Sequence, residues 1–124
     1  MSAEENLKAA KRGYAAFGAG DAAGAMEDMA DEIEWITPGN SAISGTAHGK
    51  QEVGELWGKL AEKGLTTNPQ YWFADGDRVV ALCQVTLGGE TYDAADVLTY
   101  RDGKLVKFQS AGDTALAERV FGTK

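Results

Sequence analysis

Asp96 stands in the middle of an apolar row. Between Glu90 and Arg101, alternation places Tyr92, Ala94, Asp96, Leu98 and Tyr100 on one face of an extended segment and Asp93, Ala95, Val97 and Thr99 on the other. A carboxylate left ionised and unpaired among such neighbours costs several kcal/mol, so it must be solvated, hydrogen-bonded or protonated. The chemistry open to it is that of a pocket acid. Burial raises its pKa, and the acid form then donates a hydrogen bond to a ligand carbonyl or transfers a proton. The structural alternative is a carboxylate bonded to a loop amide or to Arg101.

His48 is the one side chain whose ordinary pKa lies near neutrality. If its loop folds over the Asp96 face, the two make an acid/base pair for a dehydration, an aldol cyclisation or a double-bond shift. The alternative is that His48, which precedes Gly49, lies in solvent or helps cap the helix that begins there. Period places Tyr14, Phe17, Trp35, Trp57 and Phe108 inward, as core or as ligand contacts. Tyr14 and Trp35 are favoured as contacts, because each carries a polar tip that needs a partner when buried. Tyr92 and Tyr100 share the Asp96 face and read as rim residues.

Other reactive types carry less. Cys83 reads as a buried small hydrophobe, with nothing basic beside it to lower its pKa. One cysteine and one histidine leave no cluster at zinc spacing, and Asp28, Asp31, Glu32 and Glu34 scatter over different faces and read as solvated. Gly88-Gly89 and Gly18-Ala19-Gly20 are not phosphate loops, since neither joins a parallel strand to a helix N-terminus. The expectation is chemistry without metal or organic cofactor.

The elements that must position these residues follow from pattern. Ser2 and Glu5 form a capping box, and Leu7, Ala10, Tyr14 and Phe17 recur at helical spacing, predicting helix one over 3–17. Asp21 caps a second helix with Ala22, Met26, Met29 and Ala30 on its apolar side, and Asp113 caps a short last helix to Phe121. Residues 32–37 alternate as a strand stopped by Pro38-Gly39, and 38–49 have no period and read as a loop. Lys50 to Lys63 is a helix carrying Val53, Leu56, Trp57 and Leu60, closed by Gly64. Strands follow at 71–74 and 78–87, then a hairpin from Glu90 to Asp113 about Asp102-Gly103; Gly88-Gly89 marks another hairpin turn. This order predicts an α+β fold, a curved, mostly antiparallel sheet with three helices on its concave side, closing as a cone-shaped barrel around a ligand-sized space.

The chain of 124 residues, 44% hydrophobic, reads as a single domain over 1–124. A net charge of −7 argues against nucleic acid and against anionic membrane surfaces. MSAEENLKAAKRG has no apolar signal core and no run reaches membrane-helix length, so the expected location is cytoplasmic.

Several motifs in order resemble one family. Phe17 to Met29 as helix-Gly-Asp-helix, Ala-Asp-Glu-Ile-Glu-Trp at Ala30 to Trp35, Pro38-Gly39, Ser44-Gly45-Thr46 with Gly49, and Arg101-Asp102-Gly103-Lys104-Leu105 resemble the SnoaL-like polyketide cyclase and ketosteroid isomerase group of the nuclear-transport-factor-two-like superfamily. The resemblance implies the cone-shaped α+β barrel and a dimer through the outer sheet face. It also implies, for steroid isomerases of the group, a base on the first strand, a helix-one tyrosine and a protonated aspartic acid on a late strand. Asp96 falls at the last position, but the base position falls on Thr37 and the tyrosine position on Gly13, one residue before Tyr14. Steroid isomerisation is therefore not expected.

The sequence reading is a small-molecule protein acting on an apolar carbonyl compound by acid/base chemistry, as an isomerase, cyclase or dehydratase. Asp96 and His48 are the catalytic candidates, and Tyr14, Phe17, Trp35, Trp57, Tyr92 and Phe108 the ligand contacts. The alternative is a non-catalytic ligand-binding or dimerisation module. Under either, Ala95, Val97 and Thr99 on the outer face predict a homodimer.

Overall fold

The structure, a computed structural model, describes residues 2–124. The elements in chain order are α1 (Ala3–Gly18), α2 (Ala22–Ala25), β1 (Met29–Thr37), β2 (Gly45–His48), α3 (Gly49–Glu62), β3 (Thr66–Asp75), β4 (Arg78–Leu87), β5 (Glu90–Arg101), β6 (Lys104–Ala111) and α4 (Thr114–Phe121). The strands form one unclosed sheet in the order β2-β1-β6-β5-β4-β3. Only β1 and β6 run parallel; the other neighbours are antiparallel.

Local chemistry sets the boundaries. The capping box forms, with the Glu5 amide donating to Ser2 Oγ at 3.1 Å. Asp21 accepts from the Gly24 amide and Asp113 from the Leu116 amide, both at 2.9 Å. Asp102 and Gly103 have φ of 51° and 80°, and Gly88 and Gly89 59° and 83°, so both two-residue turns use the left-handed conformations that such hairpins require.

The short last helix expected after Asp113 forms as α4, so the described chain has four helices. Three expectations are corrected. The second helix stops at Ala25, and Met29 and Ala30, assigned to it by helical spacing, begin β1 instead. A four-residue Ala-Ala-Gly-Ala helix buries no side chain of its own, whereas Met29 gains a ladder partner in Leu105 and is 4% exposed. The 38–49 stretch is not all loop. It contains β2, too short to show a period, and a bridge from Ser41 to Thr123. β3 begins at Thr66, five residues before the predicted strand, and Pro69 is accommodated because β3 is an edge strand with a register shift between Pro69 and Tyr71.

One face of the sheet carries the core. Ile33 of β1, Val79 of β4, Leu98 of β5 and Phe108 of β6 pack with Ala9 and Ala10 of α1 and with Val53 and Trp57 of α3. Ile33, Val53 and Val79 are fully buried, each contributing about 1.5–3 kcal/mol by removal from water. β5 buries Ala94, Asp96, Leu98 and Tyr100 in strict alternation. The row predicted from sequence is therefore the inward face.

Candidate functional site

The inward row of β5 is one wall of a cavity of about 170 Å³. Tyr92, Asp96, Leu98 and Tyr100 line it from the strand, and Ala10, Gly13, Tyr14 and Phe17, one helical turn apart, line it from α1. α3 adds Trp57 and Leu60. Trp35 and Phe108 are partners in the parallel β1/β6 register, so their side chains leave the same face, and the rings stack at 3.6 Å and 13°. Trp57 meets Trp35 and Phe17 edge-on at 5.5 and 5.0 Å.

Asp96 is 5% exposed and, among the described residues, is the one charged residue of the core. The Tyr14 hydroxyl donates to its Oδ2 at 2.6 Å, and the Cys83 thiol lies 3.7 Å from the same oxygen. Burial pushes the Asp96 pKa up from the usual carboxylate range, while hydrogen bonds from Tyr14, Ser110 and Cys83 pull the other way. The partners respond in kind. Burial, then the Asp96 charge, raises Tyr14 well above its ordinary value and pushes the Cys83 thiol up to about 12. Both remain protonated donors at neutral pH. Tyr92 is raised by its burial and by the charges of Asp96 and Asp113. The Tyr14 ring is set edge-on against Trp72 at 5.1 Å, which fixes the direction of its hydroxyl.

The structure brings together Asp96, Tyr14, Phe17, Trp35, Trp57, Tyr92 and Phe108 around one space. It does not bring His48 there. Glu34 pairs with His48 and Trp35 with Ala47, and cross-strand partners share a face, so Ala47 joins Trp35 on the inside and His48 is exposed on the outside. Its backbone amide donates to Glu52 Oε1 at 2.8 Å at the start of α3, but its side chain makes no capping bond. Neither structural alternative for Asp96 holds, because its partners are Tyr14, Ser110 and Cys83 rather than a loop amide or Arg101. Thr37, at the base position implied by the resemblance, lines the cavity, and its hydroxyl cannot take up a proton near neutral pH.

Three residues of the site were not singled out for it from sequence. Asp28, read as solvated, lines the cavity. Cys83 sits diagonally across from Asp96 in the β4/β5 ladder, its own partner being Ala94. Ser110 lies directly opposite Asp96. Counting back from the Arg101/Lys104 turn pair would place Gln109 there, but a bulge between Thr99 and Tyr100 shifts the register by one. Among the described residues no three His, Cys, Asp or Glu side chains are grouped to hold a metal ion.

With the fold and the cavity in view, comparison with known proteins gives a family. A SnoaL-like domain model matches residues 10–108. The chain belongs to the SnoaL-like family. Solved structures similar to this SnoaL-like chain share its architecture over nearly their whole length. Bal32a, from a soil-derived mobile gene cassette, is 25% identical with a TM-score of 0.88, covering 96% of this chain and 98% of its own. TerC, co-crystallised with polyporic acid, is 27% identical with a TM-score of 0.81, over 96% and 99%. An NTF2-like protein from Burkholderia xenovorans LB400 is 28% identical with a TM-score of 0.78, over 98% of each chain. No curated protein matches the chain. Isomerases and cyclases occur within this family, so membership admits acid/base chemistry without selecting a reaction.

Proposed function

We propose that the chain takes a small, largely apolar carbonyl compound into this cavity and moves a proton on it through Asp96. The observation that carries the reading is the buried Asp96 carboxyl at the cavity wall with the Tyr14 hydroxyl 2.6 Å from its Oδ2. In the acid form Asp96 donates to the carbonyl oxygen; in the carboxylate form, held by Tyr14, it accepts an α-proton. With His48 outside, Thr37 at the base position and the Asp28 carboxylate paired with Arg12, no free second proton carrier faces Asp96 among the described residues. The proton therefore leaves and returns through one carboxyl, which suits a double-bond isomerisation better than a dehydration needing separate acid and base. At about 170 Å³ the cavity is close to the ~150 Å³ that accepts benzene and below the ~300 Å³ at which drug-sized sites begin, so the substrate is of single-ring bulk. The crystals of TerC with polyporic acid support occupancy by a small organic molecule in this fold.

The missing second proton carrier also favours the other reading, a binding module without turnover. Acetophenone in deuterium oxide separates them. The first reading expects wild-type protein to speed deuterium entry at the methyl group, read by proton NMR, and Asp96→Asn to abolish the gain. Saturable binding with no exchange would establish the module and end the enzyme reading.

A homodimer through the outer sheet face is part of the proposal. Tyr71 and Phe73 of β3 and Leu82 of β4 are 63%, 58% and 38% exposed, and Tyr71 faces Leu82 across the ladder. Ala95 and Val97 of β5 continue this apolar face as partners of Leu82 and Val80. A contiguous patch of that kind marks an interaction surface, and a self-complementary one closes as a symmetric pair.

A further inference from the structure

The inward row of β5 does not end at Asp96. Two inward positions further on, about 13 Å along the strand, it reaches Tyr100. Tyr100 is 4% exposed and lines the same cavity. Unlike Tyr14, it gains nothing from a hydrogen bond: burial dominates its surroundings, followed by the charges of Asp28 and Arg12. Among the described residues the one fully buried side-chain nitrogen or oxygen lacking a partner is Asn6 Oδ1, so the Tyr100 hydroxyl keeps an accessible face while bonding to no protein group. A ligand that fills the cavity withdraws this hydroxyl from water, and left without a partner it would then cost about 1–3 kcal/mol. A ligand that supplies an acceptor recovers that cost.

The acceptor side of this end is also built. Asp28, on the turn between α2 and β1, lines the cavity and keeps its charge paired with Arg12 of α1 at 3.1 Å. Its backbone carbonyl accepts from the Leu105 amide at 2.7 Å, which ties the turn to β6 opposite Tyr100. The end beside Tyr100 thus offers one neutral donor and one anionic acceptor, separated from the Asp96 end by Leu98. A hydroxyl fits this pair because it accepts from the phenol and donates to the carboxylate.

We propose that Tyr100 and Asp28 form a second polar pole that recognises a hydroxyl on the substrate, making the substrate class a hydroxylated carbonyl compound of single-ring size. The inference rests on the Asp96 reading for the carbonyl end only. Acetophenone and 4-hydroxyacetophenone, which differ by one hydroxyl remote from the carbonyl, are compared by isothermal titration calorimetry. Wild-type protein should bind the hydroxylated probe about tenfold more tightly, as expected for a hydrogen bond gained at a desolvated donor. Tyr100→Phe should abolish the preference by weakening that probe alone, and Asp28→Asn should reduce it. Tyr100→Phe removes a hydroxyl with no protein partner, and circular dichroism checks its fold; were it not to fold, Asp28→Asn reads the same preference. Equal affinities in the wild type, or a preference that survives Tyr100→Phe, would overturn the second pole, and Asp96→Asn weakening both probes would show the carbonyl end still standing. Failure of both probes to bind at millimolar concentration would overturn both.

Discussion

Replacing Tyr14 by Phe isolates the bond on which the site depends. The folded pKa of Asp96 lies above its unfolded value of about 3.9, with burial as the main cause. Over that interval the native state holds a proton that the unfolded chain has released, so stability declines as pH rises from about 4 through the folded pKa. The Tyr14 bond opposes this, because it favours the carboxylate. Its loss in Tyr14→Phe lifts the folded pKa further and makes the decline deeper. A bond to a charged acceptor is worth about 1.5–3 kcal/mol and a neutral one about 0.5–1.5 kcal/mol. The 2.6 Å distance and 5% exposure of Asp96 favour the upper part of the first range. Urea unfolding from pH 4 to pH 8 should show Tyr14→Phe losing more stability at the alkaline end, by about 1–2 kcal/mol. Carbon-13 NMR of the Asp96 carboxyl should show its titration moving to higher pH in the variant. An equal loss at all pH values with an unmoved titration would refute the reasoning, since the contact would then not bear on a titrating carboxylate.

Three further outcomes are expected. Gly13 lies inside α1 and lines the cavity, and a Cβ there meets nothing closer than the Ala25 carbonyl at 3.8 Å. Gly13→Ala should therefore gain up to about 1 kcal/mol in chemical denaturation while weakening probe binding, and unchanged affinity would contradict the cavity assignment. Phe73→Lys should turn a sedimenting dimer into a monomer, whereas a wild type that sediments as monomer at high concentration would end the dimer proposal. The Cys83 thiol, 2% exposed and pushed up to about 12, should resist Ellman's reagent at pH 8 until urea unfolds the chain. Its raised value means that the native state keeps a proton the unfolded thiol loses, so this residue lowers stability as pH climbs beyond about 8.5; rapid native-state labelling would count against the burial.

What the sequence determined by itself was local. Caps at Ser2, Asp21 and Asp113, the turns at Gly88-Gly89 and Asp102-Gly103, and the Asp96 face of β5 depend on side-chain bonds, φ preferences and a two-residue period that act within a few positions. Other features depended on which strands meet. The bulge opposite Thr99 and Tyr100 is what lets Leu105 and Phe108, three apart and of opposite parity, both face inward, and it carries Ser110 to Asp96. No local preference places that slip, because it answers to the packing of β6 between β5 and β1. Helical spacing was equally misleading at Met29, where pairing with Leu105 prevailed. His48 was decided by its pairing with Glu34, which turns the side chain outward. The Tyr14 to Asp96 bond joins residues 82 positions apart. Only the folding of α1 across the sheet, driven by burial of Ala9 and Ala10, brings a helix-one phenol onto a β5 carboxyl.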